Sequence, residues 1–292
     1  MSALLLEKAP AKINLTLRVL GRREDGYHLL ESLVAFADLS DKLTLQPAAA
    51  TALEISGPFA DKCGPIADNL VLKAVAALRH RKGALKAGHF LLEKNIPAAG
   101  GIGGGSADAA AALRLLARAN GMAPDDPRLA SAALSVGADV PVCLDPRPRI
   151  MRGVGDLLSE PYTLPTLPAV LVNPRVPLPT RDVFAKFSDM PSNKKYIANV
   201  PRTFGGMIEF LNENGNDLTQ AAIACAPVVA EVLIVLRALP AVRFTRMSGS
   251  GPTCFALFET PGEAAAAAQR LATENPDWWV HAADIGEVDI HS

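Results

Sequence analysis

The residues best suited to chemistry are five glycines within six positions, 100–105, followed directly by Ser106. Glycine is costly in backbone entropy, so a run this dense needs a reason. Glycines let consecutive N–H groups turn toward one point, and the N-terminus of a following helix adds partial positive charge. The alanine-rich residues 106–120 predict that helix. The pattern therefore indicates a cradle for phosphate groups that needs no lysine.

Three other interpretations of this glycine loop stay open. A Walker A loop places a lysine and then serine or threonine after its last glycine, and here Ser106 follows with no lysine. A dinucleotide fingerprint fits the spacing of Gly101, Gly103 and Ser106, but its ribose-binding acid should end a strand about 20 residues later. The acids in that region, Asp125 and Asp126, open a helix instead. A flexible turn without a ligand is the simplest alternative.

The elements around the loop alternate between strands and helices. Residues 11–20 alternate apolar and polar side chains, as in a half-buried strand whose polar face, with Lys12, looks into solvent or into a site. Apolar runs bounded by turn residues predict further strands at 43–45, 53–55, 90–94, 169–172, 242–247, 254–258 and 279–282. Capping residues and apolar spacing predict helices after Asp68, over 106–120, after Asp126, after Thr180, and over 206–211, 218–239 and 263–273.

This order of elements predicts the fold class. Antiparallel strands interspersed with helices favour an α+β fold over a doubly wound sheet. The chain has 292 residues, which favours two domains. Six prolines between residues 161 and 179 place the boundary near the start of that segment, which divides the chain into 1–157 and 158–292.

Composition excludes several classes of protein. The net charge is −1, so no overall field recruits nucleic acid or an anionic membrane, and neither partner is expected. The four cysteines lie far apart without a Cys-x-x-Cys pair, which argues against structural zinc and favours a reducing compartment. No stretch approaches the roughly 18 uninterrupted apolar residues of a membrane span. The N-terminal apolar run is too short for a signal peptide, so a cytoplasmic protein is predicted.

Several motifs together resemble the GHMP kinase superfamily, which includes galactose, homoserine, mevalonate and phosphomevalonate kinases. The matching segments are APAKINLTL at 9–17, DGYH at 25–28, EKNIP at 93–97, GGGS at 103–106, GADVP at 137–141 and MSGSGP at 247–252. They occur in the expected order and extend over nearly the whole chain. Within the superfamily, the match is closest to the branch that acts on a cytidine diphosphate-linked polyol.

The resemblance implies an N-terminal domain like ribosomal protein S5, which carries the ATP loop, and a C-terminal ferredoxin-like domain. It implies an active site in the cleft between them. The activity would be ATP-dependent phosphorylation of the 2-hydroxyl of the polyol substrate, in non-mevalonate isoprenoid precursor synthesis. Mg²⁺ is expected because the charge of a triphosphate must be neutralised, although no acidic cluster in the sequence identifies protein ligands for it. A monomer or a weak homodimer is expected.

The resemblance also assigns roles to residues. Asp139 accepts the proton of the alcohol, and Lys12 lies beside it. The ATP-binding residues are Pro97, Ala98, Ala99, Gly100, Gly101, Ile102, Gly103, Gly104, Gly105, Ser106 and Ala107. The substrate-binding residues are Asn14, Tyr27, His28, Thr180 and Phe184. Tyr27 and Phe184 are expected to sandwich the cytosine ring, and His28 to read its edge.

Each of these assignments has a purely structural competitor. Lys12 is otherwise a solvated lysine on an edge strand, and Asp139 a capping or loop acid after the helix stop at Gly137. Phe184 is otherwise a core residue, and His28 makes a structural hydrogen bond. The loop 248–252 is either a tight hairpin or a second glycine lining of the site.

The sequence departs from the superfamily pattern at two loop positions. Ile102 stands where leucine is usual and keeps an apolar anchor. Ala107 stands where a second serine is common, which leaves Ser106 as the loop hydroxyl. Residues 182–204 align poorly. The rival functions are a mevalonate or homoserine kinase, an oxidoreductase that uses the loop for NAD, and a nucleotide-binding protein without activity.

Overall fold

The computed structural model describes residues 4–24, 26–98, 100–188 and 196–290. Within these ranges, eleven strands form one sheet: β1 (Leu5–Asn14), β2 (Arg18–Arg22), β3 (His28–Pro47), β4 (Ala52–Ser56), β5 (Gly88–Glu93), β6 (Arg149–Gly153), β7 (Leu157–Leu158), β8 (Leu167–Asn173), β9 (Phe244–Met247), β10 (Cys254–Leu257) and β11 (Trp279–Gly286).

Nine α-helices lie in the same ranges. They are α1 (Leu70–Lys82), α2 (Gly104–Ala119), α3 (Pro127–Val136), α4 (Val140–Leu144), α5 (Thr180–Lys186), α6 (Phe204–Glu213), α7 (Thr219–Cys225), α8 (Val228–Arg237) and α9 (Pro261–Glu274). Two single 3₁₀ turns, Ala60–Lys62 and Ile66–Asp68, precede α1. None of the described helices combines the length and apolar character that a membrane span requires.

The long strand β3 organises the sheet. β1, β2, β5 and β6 pair with it antiparallel, and β11 links it to β8 and so to β10 and β9. β4 and β5 are a parallel pair joined through α1. This mixture of mostly antiparallel strands and helices confirms the predicted α+β class. Because β11 pairs on both sides, the sheet continues across residue 157, and the division into 1–157 and 158–292 stays a prediction.

The predicted strand at 11–20 is wrong in its extent. β1 ends at Asn14 and β2 begins at Arg18, because the ladder with β3 is interrupted between them. Leu33 N donates to the hydroxyl of Thr16 at 2.9 Å instead of to a backbone carbonyl. The polar face does not look into solvent, since Lys12, Asn14 and Arg18 are at most 3 % exposed.

Two helix predictions also need correction. Asn69, not Asp68, caps α1, with its side chain accepting from Val71 N at 2.9 Å. Residues 218–239 form two helices, α7 and α8, because Pro227 has no N–H to continue the first one. Asp126 caps α3 as predicted.

Alanine packing brings α2 close to the sheet. Ala107 and the four alanines that follow Asp108 are fully buried, between β1 on one side and α1 and α4 on the others. Small side chains allow this close approach. The first turn of α2, with the glycine loop before it, is thereby fixed against β1.

Candidate active site

The glycine loop is docked on β1 at its turn into α2. Lys12 N donates to Ile102 O at 2.9 Å, and Ala107 N donates to Gly103 O at 2.8 Å. Gly103 has a left-handed φ of 66°, and a Cβ there would lie 3.0 Å from Lys12 Cβ. The loop therefore needs glycine for its conformation and for its contact with the strand.

A second glycine segment, residues 248–253, braces the first. It connects β9 to β10, so it is a hairpin turn, and Gly249 and Ser250 also line the cleft. Thr253 N donates to Gly100 O at 3.2 Å. A Cβ on Gly101 would lie only 2.4 Å from Gly251 O. Both sequence interpretations of this segment are therefore correct.

Lys12 and Asp139 meet beside the glycine loop. Lys12 Nζ lies 2.8 Å from Asp139 Oδ2, with side-chain exposures of 4 % and 36 %. Asp139 stands at the N-terminus of α4, but its side chain makes no capping hydrogen bond. Lys12 is therefore not a solvated lysine, and Asp139 does not cap the helix, while the catalytic roles of both stay a prediction.

A cleft of about 430 Å³ runs along this pair and the glycine loop. It brings together most of the predicted site residues: Lys12, Asn14, Gly100, Gly101, Gly103, Gly104, Gly105, Ser106, Asp139, Thr180 and Phe184. Leu70, at the start of α1, and Leu30 complete its apolar wall, and sequence reasoning missed both as site residues. Thr180 is tied to the second glycine segment, with its Oγ1 2.9 Å from Ser250 Oγ.

Asn14 lines this cleft, and two hydrogen bonds hold it in place. Its Nδ2 donates to Ser32 Oγ at 2.7 Å, and its backbone N donates to Ser248 Oγ at 3.0 Å. The Asn14 Oδ1 atom is buried and has no hydrogen-bond partner within the described ranges. A buried acceptor without a partner is costly, and its burial keeps it out of reach of a ligand hydroxyl in this conformation.

A larger cavity of about 770 Å³ adjoins the cleft and shares its wall at Leu30, Ala138, Thr180 and Phe184. Its other lining residues are Arg22, Gly26, Tyr27, His28, Val154, Arg181, Ala185 and Phe187. The rings of His28 and Phe184 stack with centroids 4.8 Å apart. A base can therefore lie beside Phe184 only on the face away from His28, while Tyr27, 66 % exposed, stands at the rim.

Some predicted ATP residues do not face the cleft. Ile102 and Ala107 are fully buried and anchor the loop, and Pro97 and Ala98 lie before the bend. Ala99 lies outside the described residues. The contacts of this set with ATP stay a prediction.

The sequence did not predict a buried charge cluster under the loop. Lys94, from the EKNIP segment, lies between Asp41 of β3 and Asp108 of α2. Burial raises the pKa of Asp108 to about 8, although the charge of Lys94 opposes this shift. Burial lowers the pKa of Lys94, but Asp108 and Asp41 outweigh it and raise that pKa.

The side chains that line the cleft are compatible with a metal ion that is coordinated mainly by phosphate oxygens. Within the described ranges, no three His, Cys, Asp or Glu side chains are grouped to hold a metal. Asp139 is the one acid that lines the described cleft. Mg²⁺ commonly binds through one or two carboxylates, phosphate oxygens and water, so this sparse set is compatible with it.

Comparison with known proteins identifies the family. The family models for the GHMP kinases N terminal domain and the GHMP kinases C terminal match residues 69–145 and 194–277. The chain belongs to the GHMP kinases. The fold is thus that of an ATP-dependent kinase, as the motifs implied, and the roles of the glycine loop and of the Lys12–Asp139 pair stay a prediction.

Similar GHMP kinases are known as sequences and as a solved structure. A 4-diphosphocytidyl-2-C-methyl-D-erythritol kinase of Rhodopseudomonas palustris (strain HaA2) is 53 % identical, over 96 % of this chain and 98 % of its own. One of Xanthobacter autotrophicus is 51 % identical, over 95 % and 97 %. The crystal structure of a 4-(cytidine 5'-diphospho)-2C-methyl-D-erythritol kinase matches with a TM-score of 0.75 at 34 % identity, over 97 % of this chain and all of that one.

Proposed function

We propose that the chain transfers the γ-phosphoryl group of ATP to the 2-hydroxyl of 4-diphosphocytidyl-2-C-methyl-D-erythritol and releases ADP. This reaction belongs to non-mevalonate isoprenoid precursor synthesis. The observation that carries the proposal is the Lys12–Asp139 ion pair, which lies where the glycine-lined cleft meets the aromatic cavity. Relatives that share about half of the sequence over nearly its whole length carry the name of this activity.

The glycine loop supplies the nucleotide side of the reaction. Residues 103–106 at the start of α2 line the cleft, and the first N–H groups of a helix have no partner within it. The helix adds partial positive charge at the same place. Phosphoryl transfer depends mainly on positioning and charge stabilisation, so backbone donors can carry much of the work. When Mg²⁺ is bound, it neutralises phosphate charge, held by phosphate oxygens and water with Asp139 as the nearest acid.

Asp139 and Lys12 act on the acceptor. The hydroxyl oxygen attacks the γ-phosphorus, its proton passes to a carboxylate oxygen of Asp139, and the bond from the γ-phosphorus to the bridging oxygen of ADP breaks. The ammonium group of Lys12 donates hydrogen bonds to the phosphoryl oxygens and forms an ion pair with Asp139. Burial of Lys12 strengthens this interaction because little water screens it.

The adjoining cavity supplies the substrate side. The cytosine ring stacks against Phe184 with Tyr27 closing over it from the rim, and His28 supports Phe184 from behind. Arg22 and Arg181 also line this cavity and neutralise the diphosphate. Asn14 and Thr180, on the cleft side, receive the polyol hydroxyls.

The activity is tested by ADP release over a panel of alcohols. We expect turnover with the cytidine diphosphate-linked polyol and none with mevalonate or homoserine at the same concentration. The reason is that the base and the diphosphate would fill the 770 Å³ cavity that the smaller acceptors leave empty. Equal rates on mevalonate or homoserine would contradict the substrate and keep the kinase. Reduction of NAD without ADP release would contradict both.

Replacing Arg22 and Arg181 together by alanine is expected to weaken binding of cytidine diphosphate by about 10- to 100-fold and leave cytidine binding unchanged. Each charge-assisted hydrogen bond that is lost contributes roughly 1.5–3 kcal/mol at best, less for these exposed side chains. Calorimetric titration of both ligands measures the ratio. Arg202→Ala, an exposed arginine that does not line the cavity, is the matched control. An equal loss of affinity for cytidine would show that the arginines hold the cavity rather than the diphosphate.

The remaining parts of the proposal concern the setting of the enzyme. We place it in the cytoplasm as a monomer or a weak homodimer that acts on a small molecule, without a nucleic-acid or membrane partner. The net charge of −1 and the scattered cysteines support this setting.

A further inference from the structure

The Asp41–Lys94–Asp108 cluster lies beneath the glycine loop, and the proposed reaction does not use it. The three residues come from β3, the end of β5 and α2, and each is at most 3 % exposed. Lys94 Nζ lies 2.7 Å from Asp108 Oδ2 and also contacts Asp41 Oδ2. Charges are buried in this way only where they are paired, and here two acids share one ammonium group.

The cluster touches the first turn of α2. A Cβ on Gly104, the first residue of the helix, would lie 3.4 Å from Lys94 Nζ. Asp108 follows Gly104 by four positions, which places it on the same face of the helix one turn later. The cluster therefore stands directly behind the backbone N–H groups at the start of α2.

The two carboxyl groups are not equivalent. Asp41 is fully engaged, since its Oδ1 accepts from Asn95 N at 2.6 Å and from Ile96 N at 2.9 Å while its Oδ2 faces Lys94. Asp108 uses Oδ2 for Lys94, but its Oδ1 is buried and has no hydrogen-bond partner in the described ranges. A charged carboxylate pays more for such an oxygen than a neutral carboxyl group does.

We propose that Lys94, Asp41 and Asp108 position the glycine loop for ATP and that Asp108 is protonated in the form that binds the nucleotide. The cluster is then neutral, with one ammonium and one carboxylate. If Asp108 loses its proton, a net negative charge stands behind the site of the phosphates and opposes their binding. This inference rests on the proposed use of the loop for ATP.

The other titratable groups facing Asp108 do not disturb this balance. Burial, reinforced by the charge of Asp41, raises the pKa of Asp108 to about 8 against the effect of Lys94. The thiols of Cys63 and Cys143 also interact electrostatically with it, and burial raises the pKa of each above its usual value. Both thiols are therefore neutral near pH 8, and Lys94 stays charged because its neighbours raise its pKa.

The test compares wild-type enzyme with Asp108→Asn, which has the shape of the protonated side chain and cannot ionise. A group with a pKa of about 8 loses most of its proton between pH 7 and pH 9, so the dissociation constant of ATP for the wild type should rise about tenfold over this range. The variant should bind ATP as the wild type does at pH 7 and show no such rise. Calorimetry without acceptor measures both, and the ratio of the two proteins cancels the ionisation of ATP itself.

Each other outcome has a distinct meaning. If wild type and variant follow the same curve, or the wild type shows no rise, the role of Asp108 is wrong while ATP binding stands. If neither binds ATP at pH 7, the proposed function of the loop fails as well. Thermal unfolding of Asp108→Asn at pH 7 establishes that the variant is folded. If it is not, a wild-type curve without a rise still overturns the proposal.

Discussion

Asp139→Asn is expected to lower kcat by about 10²- to 10⁴-fold and to leave the affinity for ATP near that of the wild type. Asparagine keeps the size of the side chain, but it accepts no proton and no longer balances the charge of Lys12, 2.8 Å away. The phosphate contacts proposed for ATP come from backbone N–H groups on the glycine loop, which the change does not touch. ADP release measures kcat, and calorimetric titration measures the affinity.

Asp145→Asn is the matched control for this experiment. Asp145 lies just after α4, as Asp139 lies just before it, but it pairs with Arg147 and Arg149 and does not line the cleft. Its replacement should leave kcat within about twofold, because exposed ion pairs contribute little. Near-normal turnover by Asp139→Asn would mean that another group takes the proton.

Gly101→Ala is expected to destabilise the protein by about 3 kcal/mol or more and to raise KM for ATP at least about tenfold. Gly101 has a left-handed φ of 73°, and the new Cβ would lie 2.4 Å from Gly251 O, a backbone atom that cannot swing aside. The two glycine segments would have to move apart, and the part of the cleft that they line would be displaced. Urea denaturation and ATP-dependent kinetics measure the two effects.

Gly121→Ala is the control that distinguishes backbone strain from the close contact with Gly251 O. Gly121 has a similar φ of 61°, but nothing lies within 4 Å of the position where a Cβ would stand. We expect it to cost only about 1 kcal/mol, with KM for ATP unchanged. If the two variants were equally unstable, close contact between the glycine segments would not be the reason for glycine at 101.

Much of the fold could be predicted from local pattern. The cap of α3, the alanine-rich α2 and the α+β class follow from residue types and spacing, while the cap of α1 is predicted one residue too early. Of the long strand β3, only residues 43–45 are predicted. Errors arose where distant contacts override local preference. Thr16 breaks the strand because its hydroxyl takes the N–H of Leu33, and no spacing within residues 11–20 records that contact.

The residues of the candidate site could likewise be predicted only in part. The motifs named Lys12, Asp139 and the glycine loop, because chemistry restricts which residue types can do this work at all. They did not name Leu70, the two cavity arginines or the pairing of Lys94 with Asp41 and Asp108. Leucine and arginine occur on surfaces of every kind, so the residue type alone does not show which site such a residue will line.

By itself, then, the sequence determined the kind of chemistry. A lysine supplies positive charge, an aspartate accepts a proton, and a run of glycines exposes backbone N–H groups, wherever these residues lie in the fold. The tertiary structure decided the rest. Lys12 and Asp139 are separated by most of the first half of the chain, and only the pairing of β1 with β3 and the packing of α2 and α4 bring them to 2.8 Å. Burial depends on every surrounding element at once, and so do the raised pKa of Asp108 and the close contact at Gly101.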